Sequence, residues 1–166
     1  MKAIIVYYSF TGHTKEAANL LALRMNCDIE EIKLTDDLCG TDREIDERTR
    51  KQVEKKETPE IYEIEKPLLT YDVILLGTPV WWLDIPPAVR SFLSQNNLSE
   101  KSLYAFVTNG GNTGTVSSTL KTLAPGLHEK HILYLNFDDG QLDIKDAVYE
   151  WISENFSVDQ RHMSLE

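Results

Sequence analysis

Cysteine is scarce in this chain, and so are motifs that would tie it to nucleotides, metals or membranes. The two cysteines, Cys27 and Cys39, form no CxxC and no Cys/His ligand pattern, which leaves no metal-site or disulfide framework to expect. Reduced thiols in a cytoplasmic protein are the expectation. Positive charge is also short: 17 Lys and Arg stand against 27 Asp and Glu, a net charge of −10. That balance argues against nucleic acid or an anionic membrane as the main partner, since both reward clustered cations. No apolar stretch is long enough to cross a bilayer, so no membrane insertion is expected. The amino terminus runs at once into a strand-like segment, so no secretory leader is expected. The Asn97-Leu-Ser99 and Asn155-Phe-Ser157 sequons carry no weight without secretion. Neither GxxxxGK[S/T] nor GxGxxG is found, which excludes a nucleotide-hydrolysing P-loop and a dinucleotide fingerprint.

What is present is enough chain, 166 residues, for one domain with a real core. Residues 3–8 form a continuous run of β-branched and aromatic side chains, as a strand buried on both faces would. Ser9-Phe-Thr-Gly-His-Thr14 follows, then a run of strong helix formers from Lys15 to Arg24. Strand, hydroxyl-glycine loop and helix together place free backbone N–H groups and a positive helix end on an anion. An ordinary turn with a Ser or Thr helix cap has the same outline.

Further along, residues 28–34 read as a charged edge strand. Residues 42–57 are crowded with charge of both signs and hold only Ile45 and Val53 as apolar residues, which predicts an exposed helix or a mobile excursion. Residues 71–78, 101–108 and 130–137 read as the third, fourth and fifth strands. Pro87 suits a first helical position before residues 88–95. Val116, Leu120 and Leu123 mark one helix face, and Ile144, Ala147, Val148, Trp151 and Ile152 another. Strands alternating with helices predict a three-layer α/β fold, a doubly wound parallel sheet. A single domain over residues 1–156 with a loose polar tail over 157–166 completes the expectation.

In such a sheet ligands bind beyond the carboxyl ends of the strands, where the strand order reverses. The loops after strands one, three and four should converge there. They are residues 9–14; residues 78–84, with Thr78, Pro79, Val80, Trp81, Trp82 and Leu83; and residues 108–114, with Thr108, Asn109, Gly110, Gly111, Asn112 and Gly114. A flat aromatic ligand would pack on an indole, and the third loop is rich in backbone N–H groups.

These loops resemble those of the flavodoxin family. Ser9, Phe10, Thr11, Gly12, His13 and Thr14 match its S/T-x-T-G-x-T phosphate loop, Gly77-Thr-Pro-Val-Trp-Trp82 its third-strand segment, and Thr108-Asn-Gly-Gly111 the loop after its fourth strand. The resemblance implies a five-stranded sheet in the order 2-1-3-4-5, FMN as cofactor, and the short-chain form. Two positions depart from the pattern. His13 stands where many relatives have asparagine. Leu83 and Asp84 stand where many relatives have a glycine whose peptide turns toward the reduced flavin, and left-handed backbone is costly for both, most of all for Leu83. The function implied is electron transfer between redox partners with basic docking faces. An FMN-dependent NAD(P)H quinone or nitro-compound reductase is the alternative. A phosphoacceptor receiver would need an acidic pocket that Tyr8-Ser9 and Gly77-Thr78 do not provide.

Overall fold

A computed structural model describes residues 1–137 and 144–156. The polar tail expected over residues 157–166 lies outside the described residues. Five strands, β1 (Ala3–Tyr7), β2 (Asp28–Glu31), β3 (Val73–Pro79), β4 (Ser102–Asn109) and β5 (Ile132–Asn136), form one parallel sheet in the order β2-β1-β3-β4-β5. This is the α/β order expected from the sequence. The helices between them are α1 (His13–Met25), α2 (Asp42–Glu54), α3 (Pro87–Gln95), α4 (Val116–Leu123) and α5 (Ile144–Asn155).

The central strands are mostly apolar because both of their faces are covered. Side chains alternate across a strand, so Ile4, Val6 and Ile74 pack with Phe92 and Leu120 of α3 and α4 on one face. Ile5, Tyr7 and Leu75 pack with Leu21 of α1 and Trp151 of α5 on the other. Gly77 sits where β3 must let Phe106 and Tyr7 approach: an added Cβ would lie 2.2 Å from Phe106 Cζ.

Strand β2 is half-buried and ends three residues before the expected Leu34. Its neighbour in the sheet, β1, ends with Tyr7 opposite Glu31. The chain then turns inward, burying Ile32, and Leu34 pairs antiparallel with Ile61. The charged segment is an ordered helix, not a loose excursion. Thr41 and Glu44 close a capping box at the start of α2, and Thr49 and Val53 are its buried anchors. Pro87 takes the first position of α3 as predicted. Both cysteines are free. Among the described residues no helix is long and apolar enough to cross a membrane.

Candidate functional site

The loops after β1, β3 and β4 meet at the carboxyl edge of the sheet, where β1 and β3 lie side by side and the chain winds outward in both directions. Gly12 caps α1 with φ +102 and no side-chain cap, a conformation that favours glycine. The backbone N–H groups of residues 10–14 have no acceptor among the described residues, whereas that of Lys15 donates to Ser9 Oγ at 3.2 Å. A row of free amides at a helix N-terminus is an anion cradle. Lys15 itself is paired with Glu31 at 3.3 Å, so the cradle is built from backbone rather than from cations. A Cβ built on Gly12 would meet nothing within 4 Å. His13 is exposed and stacks on Phe137, with centroids 4.5 Å apart and rings 12° from parallel. The hydroxyl of Thr14 is buried and shares a 2.7 Å hydrogen bond with the hydroxyl of Thr108. That bond ties the first loop to the end of β4.

The tryptophan loop is a two-residue turn. Trp81 and Asp84 exchange both backbone hydrogen bonds, at 2.8 and 2.9 Å. Trp82 (φ +50) and Leu83 (φ +63) occupy its corners. Leu83 is thus left-handed despite the cost foreseen from its side chain. Its carbonyl accepts the Thr115 N–H at 2.7 Å and Thr115 Oγ1 at 3.0 Å, and these bonds hold the turn. Gly114 makes room for it: a Cβ there would lie 2.2 Å from Leu83 O.

The two indoles do different work. Trp81 packs edge-on against Tyr8 (5.5 Å) and Phe10 (5.6 Å). Trp82 is 46% exposed, and its Nε1–H donates to Thr49 Oγ1 at 3.0 Å. Thr49 and α2 therefore belong to the site, a role that nothing in the charged segment announces. Behind Trp81 the phenol of Tyr8 is pushed up to about 12, first by burial and then by Asp37 and Glu31, so it stays protonated.

Several residues of the expected site have their polar side chains engaged within the protein. Thr78 is fully buried, and its hydroxyl donates to the Pro79 carbonyl at 2.9 Å. Thr108 is spent on Thr14. The carboxamide of Asn109 donates to Leu135 O and accepts the Gly111 N–H at 2.8 Å. Asn112 likewise accepts the Gly114 N–H. What the third loop leaves free is backbone: the N–H groups of Gly110, Asn112 and Thr113 have no acceptor among the described residues. Gly111 (φ +102) has open space where its Cβ would be. A cavity of about 400 Å³ is lined by Phe10, Thr11, Ile45, Asp46, Trp81 and Trp82 with their neighbours, between the first loop, the tryptophan loop and α2.

This set fits a flavin mononucleotide: amides for a phosphate, open backbone at Gly12 and Gly111, and aromatic walls. Val80 and Pro79 complete the base of the tryptophan loop, half-buried. Among the described residues no group here is arranged as a nucleophile with its base.

Comparison with known proteins agrees. No protein of curated function matches the chain. A solved structure from Bacteroides eggerthii, assigned as a flavoprotein, shares 27% identity at a TM-score of 0.73, covering 92% of this chain and 96% of its own. A flavoprotein from Lactobacillus acidophilus, solved in complex with FMN, shares 24% identity at a TM-score of 0.66, covering 87% and 98%. The fold extends to an azoreductase from Bacillus anthracis at 11% identity and a TM-score of 0.54, covering 93% and 96%. The sequence profile of flavodoxins matches residues 2–155, and the chain belongs to the flavodoxin family of FMN-binding proteins.

Proposed function

We propose that this chain binds FMN in the three loops and serves as an electron-transfer protein between redox partners. The observation that carries the reading is the row of unpaired amides at residues 10–14 on the N-terminus of α1, facing open space at Gly12. The phosphate would be held there by backbone N–H groups, with the hydroxyl of Thr11 beside them. Backbone N–H groups of Gly110, Asn112 and Thr113 would serve the polar edge of the ring, and the tryptophan loop would shield it from water. Bound FMN supplies one- or two-electron redox chemistry, and the protein supplies binding, orientation and electrostatics.

A carrier needs no acid, base or nucleophile. It does need a face for its partners. Phe10, Trp82 and Leu83 stand half-exposed at this end of the sheet, on a protein of net charge −10. An apolar patch on an acidic protein suits a partner whose docking face is basic. The reductase reading has one structural observation in its favour, a cationic cleft beside the tryptophan turn that is described below.

The experiment is reconstitution with FMN, followed by anaerobic addition of NADPH while the visible spectrum is recorded. Retained flavin that stays oxidised until a separate reductase is supplied supports the carrier. Retained flavin that bleaches within seconds supports the reductase. A chain that retains no flavin overturns both.

A further inference from the structure

A cleft of about 420 Å³ opens among the end of α2, α3, α4 and the tryptophan turn. Its wall is unusual for so acidic a chain, because it holds two cations, Lys56 and Arg90, and one carboxylate, Asp84. Asp84 is already engaged on both sides. Its Oδ2 accepts Arg90 Nη2 at 3.0 Å, and its Oδ1 accepts the Ile85 N–H at 2.8 Å.

Arg90 is not engaged in the same way. Its side chain is only 9% exposed, yet its remaining N–H groups have no acceptor among the described residues, and none of its nitrogens is both sealed and unpaired. A guanidinium carries a fork of five donors, and Arg90 lines the cleft with most of that fork unpaired among the described residues. Lys56 Nζ likewise has no hydrogen-bond or ion-pair partner among the described residues.

The opposite wall is α4. Thr119 has a hydroxyl without a partner among the described residues. Ser118 and Thr122 donate their hydroxyl hydrogens to the carbonyls of Thr115 and Ser118, each at 2.8 Å. Their oxygens therefore remain as acceptors. The cleft lining thus combines charged donors, Arg90 and Lys56, with hydroxyl oxygens of α4 that can accept from hydroxyl groups.

We propose that this cleft binds a phosphorylated sugar. The phosphate lies on Arg90, Lys56 and Thr119, and sugar hydroxyls donate to Ser118 and Thr122. Arg prefers to grip phosphate with its planar fork, and the pairing with Asp84 holds that fork in place. The sugar phosphate has two sources, a free metabolite or the ribose phosphate of a nicotinamide dinucleotide. The cleft reaches the flavin loops through shared residues: Asp84 closes the tryptophan turn, and Thr115 both lines the cleft and holds Leu83. The proposal does not depend on flavin binding.

The test is a titration of isotope-labelled, FMN-loaded protein with ribose 5-phosphate, NADP⁺ and inorganic phosphate, read by amide chemical shifts. Loading the flavin keeps the probes off residues 10–14. Saturable shifts are expected at Lys56, Arg90 and Thr119, with ribose 5-phosphate or NADP⁺ binding about tenfold tighter than phosphate. The tighter of the first two identifies the source. Lys56→Gln with Thr119→Val alters only exposed or half-exposed side chains and is expected to weaken binding by about tenfold. Absence of saturable shifts at these residues with all three probes overturns the proposal, as does unchanged affinity in the double variant. Equal affinity for phosphate and both sugar phosphates overturns the assignment of Ser118 and Thr122. Should the chain fail to hold FMN, the same titration on the flavin-free protein reads the cleft amides separately from those of residues 10–14.

Discussion

Replacing Gly114 with alanine should destabilise the protein far more than the same change at Gly111, although both residues have positive φ, +52 and +102. The shared part is backbone. A left-handed conformation costs an L-residue about 1–2 kcal/mol, offset by roughly 0.4–1 kcal/mol of lost freedom in the unfolded chain. At Gly111 nothing more is added, since its Cβ would have nothing within 4 Å. At Gly114 the Cβ would lie 2.2 Å from Leu83 O, 2.5 Å from Leu83 Cβ and 2.6 Å from Leu83 Cα. The turn must move, which adds about 1–3 kcal/mol of overpacking. Moving it breaks the bonds from Thr115 to Leu83 O, at about 1 kcal/mol each.

The expected losses are therefore about 1 kcal/mol for Gly111→Ala and about 4–6 kcal/mol for Gly114→Ala. Urea unfolding of the flavin-free protein, followed by tryptophan fluorescence, measures both. Equal losses would refute the reasoning, because they would mean that the Leu83 turn yields at no cost. FMN affinity separates the two sites again. Gly111→Ala should weaken binding by placing a methyl group in the space left for the ligand.

Three further outcomes follow from the same geometry. Thr14→Val or Thr108→Val alone strands a buried hydroxyl and should cost about 1–3 kcal/mol, whereas the double variant should recover much of that loss; a strictly additive cycle from denaturant midpoints would show that the 2.7 Å bond does not couple them. Thr49→Val removes the partner of Trp82 Nε1 at a cost of about 0.5–1.5 kcal/mol, and should alter the fluorescence of Trp82 without unfolding α2; an unchanged emission spectrum would contradict the contact. Glu129 is held at about 2, below the ordinary 4.5, first by Lys121 and then by Ser117 and Tyr134. Its folded-state value is depressed, so the stability it contributes is complete above pH 4.5 and drains away as pH falls toward 2. Glu129→Gln should flatten that acid limb, and an unaltered pH profile would argue against the cluster.

The parallel sheet was legible because strands covered on both faces carry unbroken apolar runs, as residues 73–76 do, whereas the order of its strands came from the family resemblance. The row of amides at the start of α1 was legible because strand, glycine loop and helix are contiguous, so local chemistry alone places them at a helix end. Side-chain duties within the three loops were not. The types of Thr78, Thr108 and Asn109 suggest ligand contact, but backbone and neighbouring strands claim their polar atoms first. The end of β2 depended on where β1 stopped, which is a property of pairing and not of residues 32–34.

The amino-acid sequence by itself determined the layer architecture, the strand order implied by its family and the place where three loops meet, because hydrophobic periodicity and turn chemistry act over neighbouring residues. Tertiary structure alone decided that Leu83 is left-handed, that Thr49 reaches a tryptophan 33 residues away, and that Arg90 faces a cleft with most of its donors free. Local preference at Leu83 is worth about 1–2 kcal/mol. The two bonds from Thr115 and the space at Gly114 outweigh it, and those partners lie more than thirty residues further along the chain.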